Sequence, residues 1–243
     1  MPGPVYQSFA SFPYTTGTAA TSHNVTINKP SGVSNGDVLF LTIGFRPDDG
    51  SAKTLSTDLV FDAAYPWTKV REIAVYNQTS IGRAWTYVRY VANAAGEPAN
   101  YTCTINFAAA TAVVAATITA RFSGAGPIRP INASANFVDT GLAVAFPQVT
   151  TTLPDTLILF SSSARNAQTA FSFSGATPPT VITFLTATLT ATVAVGMAYK
   201  AQSAAGLSAA ETGTWSGGGG STANGTTAAL ASDLVASTSW IRA

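Results

Sequence analysis

At 243 residues the chain is long enough for one large or two small domains. Charged residues make up only 9% of it against 47% hydrophobic, with a net charge of +1; an ordinary soluble domain carries roughly 25% charge. Lys and Arg are scattered singly, which argues against a nucleic-acid partner, and no apolar run approaches the roughly 18 residues of a bilayer span, which argues against membrane insertion.

The opening MPGPVYQSFASFPY lacks the charged and apolar regions of a signal peptide, and none is expected. Residues 1–23 read as an N-terminal arm. The first strand pattern is at 24–28. Next comes KPSGVSNGDVLFLTIGF, in which Pro30, Gly32, Gly36 and Asp37 write a turn and 38–45 an apolar strand. Both its faces are largely apolar, so this strand belongs in the centre of a sheet, covered on both sides. Asp37 reads as a local cap of the turn.

Further strands are expected at 69–76, 83–92, 99–107 and 113–122. In the last of these Val114, Ala116, Ile118, Ala120 and Phe122 form a core face, and Thr117, Thr119 and Arg121 a wet one. A second set falls at 141–150, 156–162, 181–184, 193–202, 211–216 and 227–234. The Ala-rich pieces 108–116 and 203–211 are expected to hold at most short helical turns.

The order of features repeats. GDVLFLTIGF from Gly36 is matched by PDTLILFSSS from Pro154, and each half later carries an Ala-Ala-Gly turn, at 94–96 and 204–206, before a Thr-rich strand. A period above roughly 100 residues is no solenoid. The expected architecture is an all-β, antiparallel, jelly-roll-like sandwich forming one domain over 1–243, with a first half at 24–124, a short connector at 125–134 and a second half at 135–243; whether the halves are a duplication stays open.

Residues of catalytic or metal type are sparse. His23 is the sole histidine and reads as a solvated loop residue. Asp48 and Asp49, in RPDDGS, fit either turn chemistry or, less well, a calcium site. The run SGGGGS at 216–221 lacks the Lys and helix of a phosphate loop and reads as a hairpin tip. Cys103 is expected as a small apolar strand residue, and Asn-x-Ser/Thr sequons at Asn24, Asn77, Asn100, Asn132 and Asn224 reflect composition. No catalytic residue, cofactor or metal is expected. The remaining candidates are aromatic: Tyr65, Trp67, Trp85 and Tyr87, with Tyr90 nearby, either pack in the core or offer flat rings to a glycan or a protein partner.

The combination of PSGVSNGDVLFL, Pro66-Trp67, YVRYVANAAGEPANYTCTINF, LPDTLILF and AYKAQSAAGLSAAETGTW resembles the β-sandwich modules of tailed-bacteriophage virion proteins, of minor tail, fibre or capsid-decoration type. The resemblance covers 24–234 and rests on turns and core strands. It implies a non-enzymatic virion protein, made in the host cytoplasm, whose partners are copies of itself and other virion proteins. The alternative from a different class is a glycan-binding adhesin or receptor-binding module; a polysaccharide-degrading enzyme has no motif behind it.

Overall fold

The computed structural model describes residues 3–49, 53–73, 83–126, 131–139, 141–218 and 223–231. The strands are β1 (Val5–Asn28), β2 (Val38–Pro47), β3 (Val60–Phe61), β4 (Thr68–Ile73), β5 (Arg83–Tyr90), β6 (Asn100–Ser123), β7 (Ile131–Asp139), β8 (Ala143–Phe146), β9 (Thr150–Thr151), β10 (Thr156–Arg165), β11 (Gln168–Phe173), β12 (Thr180–Thr188), β13 (Thr192–Gln202), β14 (Gly206–Leu207), β15 (Glu211–Gly217) and β16 (Ala223–Leu230). A single 3-10 turn at Ala94–Gly96 is the one helical element among the described residues. All the strand pairings are antiparallel, and the fold is an all-β sandwich, as the alternation predicts.

A six-stranded and a five-stranded sheet lie face to face, the first ordered β1-β6-β2-β5-β4 with β3 paired to β6 off that path, the second β12-β13-β10-β16-β7. Between them Val38, Phe40, Ile118 and Phe122 of the first sheet meet Leu157, Leu159, Val195 and Met197 of the second. The outer face of each sheet is covered in turn. Over the first, the far ends of β1 and β6 together with β3 lay Val25, Ile27, Cys103 and Ile105 onto Leu39, Leu41 and Ile43. Over the second, the sheet β11-β15-β8 lays Phe171, Trp215, Val144 and Phe146 onto Ile158, Phe160 and Ala194. The result is four layers with three apolar seams.

Because both faces of β2 are covered, all ten of its residues are buried, and those of β10 are buried up to Ala164. These are the two strands the turn motifs introduce, and each is central in its sheet. The same covering corrects one expectation: Thr117 and Thr119 are not wet but 1% and 0% exposed, because they stand beside Ile43 and Leu41 under the β1–β6 flap.

The expected arm is instead most of β1. Residues 5–16 pair with the half of β6 that adjoins β2, and residues 22–28 with the half that folds over the outer face; register shifts at Thr16/Ala20 and Ala20/Ser22 mark the bend. His23 holds this bend. It is 4% exposed, and its Nε2–H donates to the carbonyls of Thr111 (2.8 Å) and Ala20 (3.1 Å), so it is a buried structural group and no solvated loop residue. The two strands expected at 99–107 and 113–122 are one, since the Ala-rich 108–112 continues as β6 across the bend.

Apart from the short pair β9 and β14, the halves repeat one another in strand order. Reading β7-β16-β10-β13-β12 beside β1-β6-β2-β5-β4, and β11-β15-β8 beside β3-β6-β1, matches every member of the two layers. The residue register is one step away from the alignment of Asp37 with Asp155. Val38 and Phe40 face inward as Leu157 and Leu159 do, so Asp37 corresponds to Thr156; a one-residue slip exchanges faces. Both side chains bond three residues back: the Asp37 carboxylate accepts from the Ser34 N–H (2.6 Å), and the Thr156 hydroxyl donates to the Leu153 carbonyl (3.1 Å).

Candidate functional site

The four aromatic candidates divide once folded. Trp85 is 0% exposed with its ring 4.8 Å from Phe45, and Tyr87 is 3% exposed with its ring 4.8 Å from Phe61. Both stand on the outer face of β5 beneath the flap, and burial pushes the Tyr87 phenol well above its usual range, reinforced by Asp58. Neither can meet a glycan or a partner. Trp67 is buried against Tyr101 (5.3 Å) and Phe61 (5.9 Å), and only Tyr65 keeps a half-exposed ring.

Tyr65 stands beside a charge cluster that the sequence did not single out. Arg89, on the same face of β5 as Trp85 and Tyr87, donates from Nη2 and Nε to the two carboxylate oxygens of Glu97 (2.7 and 3.2 Å) and from Nη1 to the Pro66 carbonyl (3.0 Å). Its guanidinium lies 5.4 Å from the centre of the Tyr65 ring and 5.8 Å from that of Tyr101. The Tyr101 hydroxyl donates to Glu97 Oε2 (2.7 Å), and burial together with that acceptor raises its pKa. The Tyr65 hydroxyl donates to the Gly96 carbonyl (3.1 Å). With 9% and 3% of their side chains exposed, Arg89 and Glu97 neutralise each other at the floor of the site. The only hint in the sequence was Glu97 directly after the Ala-Ala-Gly turn.

Tyr65 forms a ridge between two grooves. One, of about 90 Å³, is walled by Asp62, Trp67, Asn100, Tyr101 and Thr102; the other, of about 390 Å³, by Pro66, Arg89, Tyr90, Asn93 and Glu97. The second half has a groove of about 350 Å³ in the corresponding place. There Lys200 takes the position of Arg89, pairing with Ile158 as Arg89 pairs with Leu39, and its ammonium bonds Glu211. Both grooves run beside their Ala-Ala-Gly turns.

The acidic pair splits. Asp48 Oδ1 accepts the backbone N–H groups of Thr190 and Ala191 (2.8 Å each), tying the end of β2 to the β12–β13 turn, while Asp49 pairs with Lys53 (3.0 Å). Turn and tether explain both, and among the described residues no three His, Cys, Asp or Glu side chains gather for a metal. Cys103 is fully buried in the flap, and desolvation pushes its thiol up to about 12. Asn77 and residues 219–222 of the glycine run lie outside the described residues; Asn224 is buried in β16.

The sheet edges differ sharply in charge. On one side of the sandwich β1 and β12 end their sheets, and neither strand contains an Asp, Glu, Lys or Arg; on the other side β4 carries Lys69, Arg71 and Glu72. The uncharged side exposes Val5 (51%), Phe9 (41%) and Leu189 (43%). No helix among the described residues is long and apolar enough to cross a membrane. No protein-family model, curated protein or solved structure matches the chain.

Proposed function

We propose that this chain is a non-enzymatic structural protein of a phage virion, acting in capsid decoration or in a tail tip or fibre through contacts with copies of itself and with other virion proteins. The observation that carries the proposal is the uncharged pair of edges, β1 and β12. A free edge offers unpaired backbone donors and acceptors to any strand that approaches, and proteins that stay apart guard such edges with charge, proline or a bulge. Here β4 is guarded by three charged side chains, whereas β1 and β12 rely on Pro13 and local register shifts while exposing Phe9 and Phe184. A scarcity of charge over the whole surface suits a subunit whose surface meets other protein. The resemblance of the turn and strand motifs to those of phage virion modules suggests the setting.

Sedimentation over a wide concentration range tests this. The chain is expected to associate as concentration rises, and Phe9→Lys is expected to weaken that association without lowering the melting temperature, since Phe9 is an edge residue. A protein that stays monomeric at every concentration and fails to bind parent particles lacking it would overturn the proposal.

A further inference from the structure

We infer that the paired grooves about Tyr65 form a binding site for a neutral saccharide, separate from the edges assigned to assembly. Sugars are held by a ring face against their C–H surface and by planar acid and amide side chains that pair with adjacent hydroxyls. The Tyr65 ridge has both. Asp62, Asn100 and Thr102 line the smaller groove beside the rings of Tyr65, Trp67 and Tyr101, and Asn93 and Tyr90 line the larger. One Asp62 oxygen accepts the Ala64 N–H (2.9 Å) and fixes the loop that presents Tyr65. The Trp67 indole N–H is buried and has no acceptor among the described residues.

The ridge is rigid before any ligand arrives. Tyr65 is held by its hydroxyl on Gly96 and by the guanidinium of Arg89, itself fixed by Glu97 and Pro66, so a ligand would meet a ring already ordered. The charge balance selects the ligand class. The Arg89 cation in the floor is matched by Glu97, the Lys29 ammonium is turned to the Glu97 carbonyl (3.3 Å), and Asp62 leaves the smaller groove acidic, so an anionic sugar meets repulsion in the smaller groove. The corresponding groove of the second half is similar in size to the larger one and carries Lys200, Gln202 and Glu211, but its rim of Ala204, Ala205, Gly206 and Leu207 offers no ring, and its one ring, Phe160, is 1% exposed. It serves as an internal control.

The test uses the full chain and a panel of free glucose, galactose, mannose, N-acetylglucosamine and glucuronic acid, observed by saturation-transfer and backbone-shift NMR. At least one neutral sugar is expected to receive saturation and to shift resonances within 62–67 and 89–102, with glucuronic acid silent. Tyr65→Ala should weaken that binding about tenfold or more. Tyr65→Phe, which keeps the ring, should retain most of it, and Leu207→Ala in the second groove should change nothing. Silence from every neutral sugar, shifts that map to the second groove or the β1 edge, or a folded Tyr65→Ala that binds as well as the parent would each overturn the inference. Sedimentation of the same variants separates this outcome from the assembly proposal, because Tyr65 lies between β3 and β4 and on neither β1 nor β12.

Discussion

Asp37 shows how one side chain can be legible in sequence and still be underestimated. The turn chemistry around Gly32 and Gly36, both at positive φ (+69° and +86°), marks it as a cap, and its carboxylate does accept the Ser34 N–H. What the sequence hides is that the same oxygen accepts from Arg121 Nε at 2.6 Å, from a residue 84 positions away on the neighbouring strand. The carboxylate is 3% exposed and the guanidinium 16%, so the pair is largely out of water. Asp37→Ala should therefore cost about 2–3 kcal/mol, more than the roughly 1 kcal/mol of a simple cap. Asp37→Asn, which keeps an acceptor for Ser34, should lose less. Urea unfolding checks this through a lowered midpoint at constant slope, and a loss below about 1 kcal/mol for the alanine variant would show that Arg121 finds equivalent solvation elsewhere. The Tyr65 cluster was hidden for the same reason. Aromatic spacing pointed to the right region, but burial, which removed Trp85 and Tyr87 from contention, and the long-range choice of Glu97 by Arg89 are decided by how the flap closes.

Among the elements, strands with strong apolar runs were legible and strands made by pairing were not. Residues 38–45 and 156–162 appear where their composition puts them, extended to β2 and β10. The first 23 residues gave no such signal, because β1 lies at an edge and mixes Ser, Thr and Ala with scattered rings; it is a strand because β6 offers it a partner. β11, in QTAFSF, was missed because it is short and makes its case through tertiary packing, Phe171 against Trp215 (ring centres 4.6 Å apart) and Phe173 against Phe146 and Phe160 (5.6 Å each). That contact exposes a compensation between the halves. In the first, β5 contributes Trp85 opposite Ile43; in the second, the corresponding position opposite Ser162 is Gly196, and the bulk comes from Trp215 on the covering strand instead. A Cβ at Gly196 would lie 2.6 Å from the Phe171 ring and 3.0 Å from that of Trp215. Gly196→Ala should thus destabilise by about 1–3 kcal/mol through overpacking. Thermal unfolding is the check, and an unchanged melting temperature would mean that β15 can move away from β13 freely.

Taken whole, the molecule has the arrangement of a twofold dimer contained in one chain. One pair of corresponding residues meets at the centre, as on the axis of an isologous interface: Thr42 corresponds to Ser161, and their hydroxyls bond directly at 2.7 Å between the two large sheets. Nearby Gly44 lets the sheets approach, since a Cβ there would lie 2.5 Å from Ser163 Oγ and 2.8 Å from Val195. The side chains around it on both sheets are largely apolar, and the other polar links, Arg46 to the Thr192 carbonyl (3.3 Å) and Asp48 to the β12–β13 turn, lie at the end of β2, so the Thr42–Ser161 bond is a polar tie in a dry environment, where an abandoned hydroxyl is costly. Thr42→Val leaves Ser161 without its partner, and Ser161→Ala leaves Thr42 so; each should cost about 1–3 kcal/mol. The double variant removes both hydroxyls and should cost clearly less than the sum, with a coupling of about 0.5–3 kcal/mol in a double-mutant cycle read by urea unfolding. Strict additivity would show that the two hydroxyls act independently and that the halves are joined by apolar packing and by the polar links of Arg46 and Asp48 at the end of β2.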